Sequence, residues 1–532
     1  MAKRTTIFFG VMMFAMFLTI LNVYSLCNGS QLAATADRQS SYKLVVANTR
    51  GTIYDTNRVA LTGTGEQTVA AITPTVAGAA ALSKVLPKKT MENVYTTLTL
   101  GKPFAFILPQ PVKADGIDNF TLSRRYADDQ LAVHVIGYLD STGAGTSGIE
   151  KAFNQQLTQN QGQISVTYKV DAVNRVLAGE NKKVTDSTYL QNRGVVLTID
   201  KSIQKIAEEA AKKYLKKGAV VITEVPSGKI RAMVSLPDFS PNDVASALNG
   251  TDSPLLNRCM SAYSVGSVFK LVSASAALEY GISPDTEYTC TGGIDVSGGI
   301  FHCYNSESHG HENMQTAIAQ SCNTYFVNLM QMVPQDRFLL MAQSMGFGKS
   351  LEIAPGYVSA TGNLPTLKSL SSPRALANFS FGQGDLTATP LQISGMVNAI
   401  ASNGQYTQPT LYEGLVDENR NFMERAGAQK STQVISENTA KLIRQFMKES
   451  IETGTSKKGK PTSVTAGAKT ATAQTGRYEG TTELVESWFS GFFPYENPKY
   501  VVTIFAEGGS GGGTTCGPVF KQISDKMNGK VS

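Results

Sequence analysis

Three short segments bring together residue types suited to nucleophilic chemistry. The first is Tyr263-Ser-Val-Gly-Ser-Val-Phe-Lys270. Ser267 and Lys270 are three residues apart, so on a helix they share one side of its first turn. A serine hydroxyl is a poor nucleophile until a base takes its proton. A lysine at the head of a buried helix can be that base, because desolvation lowers its pKa. Backbone N–H groups left free at the helix start also suit developing negative charge. The second segment is Ser321-Cys322-Asn323. It offers a hydroxyl to relay a proton and an amide to hold a substrate carbonyl; its structural alternative is an N-cap for the following helix. The third, Ala468-Lys469-Thr470-Ala471-Thr472-Ala473-Gln474, lies on a strand pattern, where Lys469 and Ala471 share a face.

These residues need particular elements to hold them. Leu271 to Leu278 is apolar nearly all round, which predicts a buried central helix behind Ser267. Met314–Gln320 and Thr324–Met330 read as two helices broken by Ser321 and Asn323. Five strands are expected at about 219–225, 230–234, 468–474, 484–493 and 500–506. Pro226-Ser-Gly-Lys229 and Pro494 to Lys499 serve as links within them. Hairpin links favour an antiparallel sheet. Asp200 is placed to cap a helix of about fifteen residues, and Pro518 to open a closing helix. A mostly helical insertion fills about 255–460. The fold class is α+β, a five-stranded antiparallel sheet flanked by helices with a helical subdomain.

Upstream, Lys3 and Arg4 precede an apolar run, Ile7 to Leu26, with no charged residue. At about 1.5 Å per residue it spans a bilayer core of about 30 Å. Basic residues on its N-terminal side put the rest of the chain outside the cytoplasm. The run exceeds the apolar region of a signal peptide and lacks a small-x-small ending, so a retained single-pass anchor over 1–27 is expected. Residues 28 to about 45 read as a linker within a non-catalytic module, 28–190, and the catalytic domain is assigned to 191–532.

The 532 residues are 42% hydrophobic and 17% charged, with a net charge of +6. Global disorder is excluded by that balance. The basic residues are dispersed, without a stripe interleaved with aromatics, which argues against nucleic-acid binding. Six cysteines without a CxxC pair do not make a disulfide-dense scaffold.

In the order Ser-x-x-Lys, Ser-x-Asn, Lys-Thr, the three segments match the penicillin-binding signature. The chain resembles the class B penicillin-binding proteins, membrane-anchored transpeptidases of the bacterial cell wall with the serine β-lactamase/transpeptidase-like fold. Arg50-Gly-Thr-Ile-Tyr-Asp55, His134-Val-Ile-Gly137, Ser147-Gly-Ile-Glu-Lys151, Leu197-Thr-Ile-Asp200, Phe381-Gly-Gln-Gly384, Thr389-Pro-Leu-Gln392 and Trp488-Phe-Ser-Gly-Phe-Phe-Pro494 extend the likeness over most of the chain. The resemblance implies Ser267 as nucleophile on a D-Ala-D-Ala stem peptide or a β-lactam, and Lys270 as its base. It implies Ser321 and Lys469 as proton relay, and Asn323 as a holder of donor-peptide amides. Thr470 would contact the terminal carboxylate, and the N–H groups of Ser267 and Thr472 would form an oxyanion hole. It implies no metal or cofactor. Its partners are peptidoglycan stem peptides, β-lactams and a membrane glycan polymerase of the shape–elongation–division–sporulation class, at the bacterial cell membrane.

Two positions depart from the family pattern. Ala471 stands where Gly is usual, and its methyl is expected to crowd Ser267 or substrate and slow acylation. Val265 replaces a common Pro, with little effect expected. A serine β-lactamase and a penicillin sensor or degenerate scaffold share the motifs; a D,D-carboxypeptidase shares the residues as well. Finally, Cys290 and Cys303 bracket a Gly-rich loop. A disulfide there is expected first, reduced packing cysteines second, and a zinc site with a nearby histidine (His302, His309 or His311) third. Cys322 is read as a packing residue.

Overall fold

The structure is a computed structural model that describes residues 2–28, 40–159, 162–177, 181–187 and 193–530. It divides into two compact units, neither contiguous in sequence. One unit comprises 1–50, 63–125 and 160–192; the other comprises 51–62, 126–159 and 193–532.

The smaller unit opens with a helix, Ala2–Cys27, long and apolar enough to cross a membrane. The strand Ser41–Asn48 pairs antiparallel with Gln163–Lys169, which also carries Lys183–Asp186. A second sheet centres Gly65–Ile72 between Phe104–Leu108 and Ile117–Arg124. Helices Val76–Ser83 and Lys88–Thr99 bury Leu82, Met91 and Val94 against Ala70 and Ile72. The expected linker is therefore shorter than read. Residues 29–39 lie outside the described residues, and from Ser41 onward Leu44 and Val46 alternate inward onto Val166, as a half-buried strand requires.

The expected single boundary near 190 is replaced by two excursions of the chain. Gly51–Thr62 and Tyr126–Gln159 belong to the same compact unit as 193–532. Ile53 pairs in parallel with Val195, and Ile53, Leu61, Ile149 and Phe153 are buried in the same core as Val195 and Leu197.

In the larger unit Asp200 caps α1 (Lys201–Tyr214), accepting from the N–H groups of Ser202 and Ile203. There follow β1 (Gly218–Glu224) and β2 (Ile230–Leu236). The helical insertion contains α2 (Lys270–Glu279), α3 (Met314–Gln320), α4 (Asn323–Met330), α5 (Pro390–Ala401) and α6 (Glu437–Glu452). The chain closes with β3 (Gly467–Glu479), β4 (Thr482–Phe493), β5 (Tyr500–Glu507) and α7 (Gly517–Lys526). The sheet order is β2-β1-β5-β4-β3, antiparallel throughout, which bears out the five expected strands. Its two faces are apolar for different reasons. Val220, Ile222, Val502 and Ile504 face α1 and α7, while Val221, Val501 and Phe505 join the core shared with the insertion. β3 lies at the sheet edge, so part of its backbone is open to an incoming strand-like ligand.

Candidate active site

Ser267 sits in a 3-10 turn, Gly266–Phe269, that runs directly into α2. Gly266 has φ +66° and donates its N–H to Gly382 O at 2.8 Å. Trp488 Nε1 donates to Ser264 O at 2.8 Å and ties the approach to β4. Phe269 packs on Phe338, Phe347 and Phe379, with ring centroids 5.9, 5.3 and 4.8 Å away. The turn is thereby fixed, with Ser267 half-buried and Lys270 fully enclosed. The predicted central helix is as expected: Lys270 through Ala277 are all buried.

The second segment differs locally from its sequence reading. Ser321 does not cap the following helix. It ends α3 in the left-handed region (φ 62°, ψ 39°), and Cys322 takes the N-cap of α4, its Sγ accepting from Tyr325 N–H. The sharp reversal turns both Ser321 and Asn323 toward Lys270. Lys270 Nζ donates to Ser321 O at 2.6 Å, to Ser321 Oγ at 3.2 Å and to Asn323 Oδ1 at 2.7 Å. Asn323 Nδ2 donates in turn to His302 O at 2.9 Å, so this amide is held at both ends.

The third segment lies on β3, where Lys469 opposes Ser490 on β4. Its ammonium donates to Ser321 Oγ at 2.9 Å and to Thr470 O at 3.1 Å. One hydroxyl, Ser321, thus joins lysines that are 199 residues apart in sequence, Lys270 and Lys469. The threonines of the motif occupy the other face of the strand. Thr470 Oγ1 donates to Thr455 Oγ1 at 2.9 Å, and Thr472 Oγ1 accepts from Gly512 N–H at 3.4 Å.

Electrostatics follow from burial. Desolvation pulls the Lys270 pKa from 10.5 to about 8. Lys469 falls well below its ordinary value, first through burial and then through the charge on Lys270. Two buried ammonium groups on one hydroxyl are unfavourable together. With either lysine neutral, Ser321 can donate to its lone pair while accepting from the other. Such a chain can move a proton between Lys270 and Lys469 through Ser321. It lies one helical turn from Ser267.

The sequence reading did not single out Gly382, Thr455 or Gly512. Gly382 lies in the Phe381-Gly-Gln-Gly384 segment, and a Cβ there would come within 2.1 Å of Gly266 O. Thr455 and Gly512 carry no sequence signal of their own. Toward the serine turn, the methyl of Ala471 is accommodated. Its methyl is buried, and it lies where a Cβ on Gly266 would meet it at 3.3 Å; Gly266 supplies the missing space. The disulfide expected first is not formed: Cys290 and Cys303 hold their sulfurs 3.7 Å apart, and both are free thiols.

Comparison with known proteins identifies the family. Residues 218–525, more than half of the chain, match the family described as penicillin binding protein transpeptidase domain. The chain is 28% identical over 553 aligned residues to stage V sporulation protein D of Bacillus subtilis, covering 97% of this chain and 83% of that protein. It is 28% identical to the peptidoglycan D,D-transpeptidase PbpA of Mycolicibacterium smegmatis, covering 76% and 82%. Among solved structures it resembles penicillin-binding protein PBP2 of Helicobacter pylori, with a TM-score of 0.70, 22% identity, and coverage of 92% and 99%. With the serine-bearing helix, the Ser-x-Asn turn and the edge-strand lysine converging as described, the chain belongs to the penicillin-binding protein transpeptidases, in their class B branch.

Proposed function

We propose that this protein is a peptidoglycan D,D-transpeptidase that works through an acyl-enzyme on Ser267. The observation that carries the reading is the Ser321 hydroxyl bridging two buried lysines beside the Ser267 turn. Ser267 Oγ attacks the carbonyl carbon of the penultimate D-Ala as neutral Lys270 takes its proton. The oxyanion is received by the N–H groups of Ser267 and Thr472, each such donor being worth about 3–4 kcal/mol. Collapse of the tetrahedral intermediate expels the terminal D-Ala, whose nitrogen takes a proton from Ser321; Lys469 and Lys270 restore it. An amine from a second stem then attacks the ester, giving the cross-link and returning the proton to Ser267.

Thr470 is assigned to the substrate carboxylate, which requires it to exchange its bond to Thr455 for one to the ligand. Asn323 is assigned to the donor peptide, with a second duty in holding Lys270. The N-terminal helix anchors the chain, with the catalytic unit outside the cytoplasm. The unit of 1–50, 63–125 and 160–192 is assigned to non-catalytic interactions, including those with a membrane glycan polymerase of the shape–elongation–division–sporulation class.

The test is covalent labelling of the full chain in detergent by a fluorescent penicillin, beside Ser267→Ala. A label that requires Ser267 and persists for hours is the expected result. Rapid release of the label would indicate a β-lactamase. No label on a folded chain would overturn the catalytic reading and favour a scaffold.

A further inference from the structure

Outside the reacting groups, one cluster of side chains has no part in the chemistry above. Cys290 ends the strand Tyr288–Cys290, Cys303 follows the hairpin strand Gly299–His302, His309 precedes the strand Gly310–Glu312, and Cys322 sits between Ser321 and Asn323. Their ligand atoms all lie within 4.8 Å of one another. The three cysteines are buried and the histidine is half-buried. From these residues we infer a tetrahedral zinc site formed by Cys290, Cys303, Cys322 and His309 Nδ1, which secures the Ser321–Asn323 turn.

Geometry separates this inference from mere packing. A tetrahedron with bonds of about 2.3 Å to sulfur and about 2.0–2.1 Å to nitrogen has edges of about 3.8 Å between sulfurs and about 3.5 Å between sulfur and nitrogen. The corresponding separations are 3.7 Å for Cys290–Cys303, 3.7 Å for Cys303–Cys322 and 3.4 Å for Cys290 Sγ–His309 Nδ1. A sulfur–sulfur approach of 3.7 Å is also ordinary contact, so what points to an ion is the convergence of four ligand atoms from separate segments within 4.8 Å of one another. The surroundings also suit thiolates. Thr324 Oγ1 donates to Cys290 Sγ at 3.1 Å and lies 3.4 Å from Cys322 Sγ, while Tyr325 N–H donates to Cys322 Sγ at 3.4 Å. Three soft sulfurs and one imidazole select zinc over calcium or magnesium, and four protein ligands make a closed, structural set rather than one open to substrate. Binding releases the three thiol protons and changes no oxidation state.

The sequence ranks zinc at Cys290, Cys303 and a nearby histidine only third and leaves Cys322 out, because these residues come singly rather than as CxxC pairs. The consequence of the site is local. Cys322 caps α4 and adjoins the two residues that hold Lys270, so the ion would fix the turn that sets the lysine pair. That consequence rests on the reading of Ser321 given above; the metal content does not.

The test measures zinc by mass spectrometry on the full chain, purified in detergent under reducing conditions, incubated with zinc sulfate and desalted. One zinc per chain is expected, reduced at least about tenfold in Cys303→Ser and in His309→Ala and unchanged in Cys27→Ser. Cobalt-loaded wild-type protein should show thiolate-to-metal charge-transfer absorption and the bands of a tetrahedral ion, a readout independent of whether the variants fold. Chelation should lower the melting temperature of the wild type, and zinc but not magnesium should restore it. Wild-type chain without zinc, zinc retained by Cys303→Ser, cobalt lacking the thiolate bands, or a Cys290–Cys303 disulfide in protein isolated from membranes would each overturn the site. Should zinc bind while penicillin labelling fails, the metal site stands and the catalytic reading falls.

Discussion

The pair Lys270 and Lys469 sets the pH response of the site. For a cation whose pKa is lowered to about 8, the neutral, proton-accepting form appears from about pH 8 upward rather than near 10.5. The acylation rate with penicillin should therefore rise with pH through about 8 and then level, which stopped-flow labelling across pH 6–10 would check; a rate flat across that range would count against Lys270 as the base. Removing the base in Lys270→Ala should slow acylation by about 10²–10⁴. Ser321→Ala cuts the bridge between the lysines, and its loss should fall on acylation by penicillin and on cross-linking alike. At Ala471 the expected outcome has changed with the structure. Because the methyl fills space left by Gly266, Ala471→Gly should not accelerate labelling and should cost about 0.5–1 kcal/mol in stability, read as a lower melting temperature. The types and order of these residues were legible in the sequence. Ser321's left-handed conformation was not, because the reversal depends on what α3 and α4 pack against rather than on local propensity.

At the scale of elements, the serine turn is positioned by close approaches of backbone. Gly382, itself at φ +86°, supports Gly266 through one hydrogen bond and leaves no room for a side chain. Gly382→Ala should cost about 1–3 kcal/mol or more and lower labelling together with melting temperature. A variant that keeps both would show that the approach is not needed. All five sheet strands, α1, α2 and α7 could be read from apolar period and capping residues, since each buries a continuous apolar face. The Cys290–Cys322 cluster was legible only in part, with Cys322 left out and the histidine unchosen, because its members meet only after two hairpins and a helix cap have formed. Sequence spacing describes ligands on one loop well and ligands from several segments poorly.

For the whole molecule, the helix Ala2–Cys27 predicts that the full chain stays with membranes after salt and carbonate washing, and that deleting 2–27 releases it. Recovery of the full chain in the soluble fraction would refute the anchor. The interleaved division of the chain has a different kind of consequence, for the order of assembly. The strand Ser41–Asn48 finds its partner only at Gln163–Lys169, and Ile53–Tyr54 finds its own only at Val195–Val196. Neither fold can close while the ribosome is still making the first 160 residues, so early segments wait with apolar faces uncovered. A fragment cut to begin at residue 193 would lack Ile53, Leu61, Ile149 and Phe153 from its own interior. Such a fragment should aggregate, and the nascent chain should depend on holding factors until its late strands arrive.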